Sequence, residues 1–400
     1  MTGPLERPLA GMRVLELSSF VASPLGGMTL AQLGADVIRV DPLGGAPDRH
    51  RWPLAPNGES LYWAGLNQGK RSVTVDLRSP EGTALVADLA TECGIVLTNA
   101  RARPGLSPDE LFAHRPDLIH VQLLGRRDGG TAVDYTVNAG CGFPLVTGPD
   151  DHADPVNHVL PAWDVTTGLY LAVGLLAAER RRARTGAGTA LRVALEDVAL
   201  ATAGNLGYLA EAQLHESPRG RIGNQVYGDF GRDFRTADGD RLMVVVLTPR
   251  HWRDLLAATG TTEVAAALEG ALDADFTRAE DRYRHREVLG GLFAAWFEAR
   301  KSAEVEDALR PASVLWTRYR TFTELVRDPA LARHPLFDRV DQPGIGGYLA
   351  PGAPLVFDDH QPPPAPAPDL GAHTDEVLGD LLALAPERVA DLRARGVVGR

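Results

Sequence analysis

Two cysteines in a chain of 400 residues, Cys93 and Cys141, are too few for a disulfide framework or a cysteine-based metal site. There is no CxxC, and the 11 histidines are scattered without an HExxH pairing, so no bound metal is expected. GxxxxGK[ST] and GxSxG are also missing. Their absence removes the phosphate loop of nucleotide hydrolases and the nucleophile elbow of serine acyl transfer. No apolar run is long enough for a bilayer: the best, near residues 169–178, is broken by Gly174. The start, MTGPLERPLAGMRVLELSS, has no basic stretch leading into a long apolar core. These absences predict a cytoplasmic protein with reduced thiols.

Positive charge is in deficit as well. Lys and Arg number 41 against 52 Asp and Glu, a net charge of −11, which argues against nucleic acid or an anionic membrane as partner. A small anionic ligand gripped by a few local cations remains compatible with that balance.

What is present is an ordinary globular composition, 44% hydrophobic and 23% charged, in a chain long enough for two domains. MRVLELS, MTLAQLGA and DVIRVD read as strand, helix and strand. SVTVDL, SPEGTALVADLATEC, IVLTN, SPDELFAHRP and LIHVQLLG continue the alternation. This βαβ rhythm predicts an α/β fold with a parallel sheet covered on both faces. After a glycine-rich stretch at 215–233 the rhythm changes. DFRTADGDRLMVVVL reads as a hairpin followed by amphipathic helices. The expected organisation is the N-terminal part of a large α/β domain over 1–225, a smaller α+β domain over 226–330, and a linker and final segment over 331–400. QPPPAPAPDLG suits a stiff linker.

The first βαβ unit resembles a dinucleotide site, with Asp41 where a ribose-binding acid would sit. Its turn, SFVASPLGGMTL, has no GxGxxG and carries Pro24 where the backbone should curl around a pyrophosphate. Asp41 therefore reads as a strand-end acid.

Asp164, in NHVLPAWDVTTGLYLAVGLLAAERRRARTG, is the one acid in an otherwise apolar approach to a long helix. As an N-cap it would accept an amide from Thr166 or Thr167. The same placement would keep its carboxylate ionised and allow covalent attack on an activated acyl group. Residue chemistry leaves both readings open, and they are compatible.

PLAGMRVLELSSFVASPLGGMTLAQLGADVIRVDP, WAGLNQGKRSVTVDLRSPEG, PAWDVTTGLYLAVGLLAAERRRARTGAG and GAHTDEVL, in that order along the chain, resemble the family III CoA-transferases. Further segments, among them GRRDGGTAVDYTVN, YGDFGRDF and QPGIGGYL, are similar to a branch in which CoA moves between two carboxyls of one molecule. The resemblance implies a large Rossmann-like domain built from both ends of the chain and an interlocked homodimer. It implies an acyl-CoA substrate, with CoA as part of the substrate and no permanently bound cofactor. Asp164 matches the nucleophilic aspartate of the D-x-x-T/S-G context. Family racemases place a histidine base where this chain has Val133, so racemisation is not expected. By the same resemblance the pantetheine arm runs along Phe20, Val21 and Ala22, and the nucleotide lies near Asn67, Lys70, Arg71 and Asn99. Tyr135 is a candidate to line the thioester site, or a residue filling the sheet's edge. Arg126, Arg127, Arg221 and Arg232 are candidates for a second carboxylate, because a guanidinium fork grips a carboxylate bidentately. His158 is a candidate substrate contact or a hydrogen-bonded structural histidine.

Overall fold

The computed structural model describes residues 7–216 and 219–399. The chain divides into two compact units: Met1–Cys141, His158–Ala210 and Pro329–Arg400 form one, and Gly142–Asn157 with Glu211–Asp328 form the other.

The first unit is built on six strands, β1 (Arg13–Leu17), β2 (Asp36–Asp41), β3 (Arg71–Thr74), β4 (Ile95–Thr98), β5 (Ile119–Leu124) and β6 (Thr189–Ala194). Their order is β3-β2-β1-β4-β5-β6, and every pairing is parallel. The largely apolar character of VLEL, VIRV and IVL suits burial on both faces, and the two charged residues among them, Glu16 and Arg39, are buried in ion pairs. Leu15, Ile38, Val73 and Val96 pack with Val86 and Leu89 of the Pro80–Cys93 helix. Val377 and Leu392, from the helices Thr374–Leu382 and Pro386–Ala394, complete this core. The C-terminal segment thus returns to the large sheet. The amide of Asp76 donates to the Val397 carbonyl at 2.9 Å, and the Ser72 amide to His373 Nδ1 at 3.1 Å.

Two helices place the site. Ala22–Gln32 follows β1, and Ala162–Thr185 ends at Gly186, whose φ of 68° is the left-handed C-terminal stop expected of that glycine. The helices cross closely because both contribute glycine at the contact. A Cβ on Gly168 would lie 2.7 Å from the Ala22 carbonyl, and one on Gly26 would lie 2.9 Å from the Gly168 carbonyl. The glycine of DVTTG therefore has a packing role: it lets the start of the first helix sit beside the start of the second.

In the second unit the expected hairpin is present as Phe230–Arg235 and Arg241–Val246, with Leu315–Arg318 as a third antiparallel strand. Phe230, Phe234, Trp252, Phe276, Phe293 and Phe297 fill its core. Among the described residues, no helix is long and apolar enough to cross a membrane.

Candidate active site

In a sheet of this order the chain leaves β1 and β4 in opposite directions, opening a crevice beyond their carboxyl ends. A cavity of about 880 Å³ lies there. Its walls come from the loop after β1 (Phe20, Val21, Ala22), the loop after β4 (Asn99, Arg101) and the segment after β5. Asp164 and Tyr135 line the same cavity. Sequence reasoning therefore placed six residues, Phe20, Val21, Ala22, Asn99, Tyr135 and Asp164, around one space.

The turn after β1 is held by two side chains. Asn99 accepts from the Ser19 amide at 3.1 Å and donates to the Ser19 carbonyl at 2.8 Å. Phe20 has φ 68°, a left-handed conformation costly for a non-glycine residue, and its amide donates to Asp48 at 2.9 Å. Asp48 is itself fixed by Arg39, which also binds Asp41 and Asn67, all buried. Asp41 is thus a strand-end acid neutralised by Arg39, as its sequence context suggested.

That network also takes up the residues expected near the nucleotide. Asn67 bridges Arg39 and Lys70 inside the protein. Lys70 is fully buried against Glu16 at 2.8 Å, and burial, only partly offset by Glu16, lowers its pKa to about 8. Arg71 opens β3 at the amino edge of the sheet, opposite the cavity, where it binds Asp36 at 2.5 Å and Glu376 at 3.1 Å. None of the three lines the cavity. Their cationic or amide groups are already used in holding the fold.

The four candidate arginines are also occupied elsewhere. Arg126 faces Glu196 at 3.9 Å, Arg127 pairs with Asp197 at 2.8 Å, and Arg232 pairs with Glu287 at 3.1 Å. Arg221 donates to the carbonyls of Leu145 at 3.0 Å and of His152. Each sits on a loop or edge where the nearest acceptor is local, which spacing alone does not reveal. An arginine that sequence reasoning passed over, Arg51, does line the cavity.

At Asp164 the structure amends the capping expectation. The helix begins at Ala162 with Pro161 as cap, and Asp164 stands inside its first turn. The free amides are capped by Asp134, which accepts from Trp163 at 2.7 Å and from Asp164 at 3.1 Å. Its other oxygen meets His158 Nε2 at 3.1 Å. His158 is thus the hydrogen-bonded structural histidine, orienting the cap. Asp134 is the functional residue the sequence does not single out: in GRRDGGTAVDYTVN the distinguishing feature is the valine before it. The Asp164 carboxyl, relieved of capping, faces the cavity. Burial first, and then the nearby Asp134 charge, push its pKa up to about 6, with Arg51 pulling the other way. The helix terminus therefore does not hold the pKa down: desolvation is the stronger effect, and the carboxyl is ionised above about pH 6. A half-buried carboxylate of raised basicity is a better nucleophile than a solvated one. No group of three or more His, Cys, Asp or Glu side chains suited to a metal occurs among the described residues.

Comparison with known proteins agrees with this geometry. The chain is 50% identical over 398 residues to the 2-methylfumaryl-CoA isomerase of Chloroflexus aurantiacus, covering 98% of this chain and 97% of that protein. It is 30% identical to the succinyl-CoA–D-citramalate CoA-transferase of the same organism, covering 98% of each. Among solved structures, a CAIB/BAIF family protein from Brucella suis superposes with a TM-score of 0.77 at 26% identity, covering 94% of this chain and 99% of that one. The model of CoA-transferase family III matches residues 9–374, and the chain belongs to that family.

Proposed function

We propose that this protein isomerises 2-methylfumaryl-CoA, moving CoA from the C1 to the C4 carboxyl to give 3-methylfumaryl-CoA, with Asp164 as nucleophile. The observation that carries the reading is the 50% identity, over nearly the whole of both chains, to an isomerase of that name. The placement of Asp164 in the cavity supports it independently.

The Asp164 carboxylate attacks the C1 thioester carbonyl, forming a mixed anhydride and expelling CoA thiolate. The thiolate attacks the aspartyl carbonyl, releasing 2-methylfumarate and leaving an aspartyl-CoA thioester. The C4 carboxylate of the retained diacid attacks that thioester, again expelling thiolate. Thiolate attack on the C4 carbonyl of the new anhydride completes the product and frees Asp164. Electrons and atoms balance with no cofactor beyond the CoA that the substrate brings.

In this reading the thioester lies near Asp164 and Tyr135, and the pantetheine arm passes Phe20, Val21 and Ala22. Asn99 sits on the same wall, toward the nucleotide. The protein works in the cytoplasm as an interlocked homodimer. Exposed Leu169, Tyr170 and Val173 on the Asp164 helix, with Val159 and Leu160 before it, give the apolar surface such a dimer would bury.

The mechanism is tested by trapping. Incubation with substrate and hydroxylamine should convert Asp164 to a hydroxamate, seen by peptide mass spectrometry, and abolish activity. Asp164→Ala should fold and show no turnover. Near-normal turnover by that variant would contradict the mechanism.

A further inference from the structure

A dicarboxylate that turns around inside the site needs a cation for the carboxylate that is not reacting. We infer that Arg51 is that cation, holding whichever carboxylate of the diacid is bonded neither to Asp164 nor to CoA; the assignment rests on the isomerase reading above.

The geometry supplies three reasons. First, Arg51 lines the cavity and has no carboxylate partner among the described residues, whereas Arg126, Arg127 and Arg232 each pair with an acid and Arg221 is taken up by backbone carbonyls. An arginine left without an anion beside a reactive carboxylate is arranged for an anion that arrives. Second, the guanidinium is held between two aromatic faces. Its carbon lies 5.0 Å from the Tyr62 ring centroid and 5.6 Å from that of Phe20. Cation–π contacts on two rings position the guanidinium without using its N–H groups, which stay free to donate. Third, both platforms are fixed. The Ser60 hydroxyl donates to the Arg51 carbonyl at 2.6 Å and accepts the Trp63 amide at 3.0 Å, tying Arg51 to the Leu61–Leu66 helix that carries Tyr62. Phe20 is pinned through Asp48, and Asp48 through Arg39.

The electrostatics agree with the placement. Arg51 favours the charged form of Asp164 against the larger opposing effects of burial and Asp134. It also opposes the burial that raises the Tyr62 phenol to about 12. The remaining arginines of the cavity wall, Arg101 and Arg103, follow β4; Arg103 donates to the Leu77 carbonyl at 3.4 Å.

One cation serves both halves of the reaction. While C1 is being transferred, Arg51 holds C4. When C4 moves to the aspartyl thioester, C1 has become a free carboxylate and takes its place. The diacid stays tethered throughout, so release is slower than return.

The test compares 2-methylfumaryl-CoA with tiglyl-CoA, the analogue in which a methyl group replaces the C4 carboxylate. Aspartyl adduct formation is read by hydroxylamine trapping in wild type, Arg51→Gln and Arg51→Lys. Arg51→Gln should slow adduct formation from the diacid thioester on the order of a hundredfold, the loss of a charge-assisted contact. Arg51→Lys should recover part of that loss. Adduct formation from tiglyl-CoA, already slow in wild type, should change less than about threefold in Arg51→Gln. An equal loss with both thioesters would overturn the assignment, as would wild-type rates in Arg51→Gln. Absence of any diacid-derived adduct in wild type would overturn the isomerase reading, and this assignment with it.

Discussion

At the scale of the residue, the site depends on two acids with divided roles. Asp134 caps the helix and meets His158, while Asp164 is left desolvated, and its pKa rises to about 6. The sign of the pH effects follows. Attack requires the carboxylate, so kcat/KM should fall as pH drops through about 6 and be flat above it. Stability should move the other way. Between the ordinary carboxylate range and about 6 the folded chain keeps a proton that the unfolded chain has lost, so stability declines with rising pH in that window. Asp164→Asn removes this penalty. Denaturant titration at pH 7.5 should show the variant more stable by about 1–3 kcal/mol, discounted for its partial exposure, and the gain should disappear near pH 4. Equal stabilities at both pH values would mean that desolvation is not what sets the acid's basicity.

At the scale of the element, the close crossing of two helices places Asp164 beside the turn after β1. Gly168→Ala forces a Cβ against the Ala22 carbonyl, 2.7 Å away, and against Leu25. The expected outcome is about 1–3 kcal/mol of destabilisation in thermal or denaturant melts, with a fall in kcat/KM because the turn and the acid separate. An unchanged melting temperature would show that the crossing tolerates the methyl group. The elements were legible from sequence because burial on both faces leaves short, mostly apolar runs between helical segments, as in VIRV and IVL. The site was legible only in part. Asp164 stands out because an acid is unusual in its apolar surroundings, whereas the turn at residues 20–22 was marked only by the family resemblance. Lys70 and Arg71 read as phosphate partners or as a basic turn before a strand, and only the third dimension shows Lys70 buried against Glu16 and Arg71 paired with Asp36. Arg51 sits three residues from Asp48 and two from Arg49 in a loop whose charges look alike. Arg49 stacks on Trp63 and pairs with Glu59, whereas Arg51 faces the cavity.

At the scale of the whole molecule, a −11 protein handling an anionic thioester must concentrate positive charge locally, and the cavity wall does so with Arg51, Arg101 and Arg103. The exposed apolar residues of the Asp164 helix call for a partner surface. Light scattering should give a mass near twice the 42.9 kDa of one chain, and a monomer at micromolar concentration would contradict the interlocked dimer. The central claim is that CoA shifts between two carboxyls of one retained molecule. Its most direct test is to incubate the protein with unlabelled C1 thioester of 2-methylfumarate and an excess of ¹³C-labelled free 2-methylfumarate, then analyse the esters by chromatography and mass spectrometry. Intramolecular transfer gives conversion to the C4 thioester with no label entering it. Failure to form the C4 isomer, or label in the CoA ester at the proportion of the free acid, would contradict it.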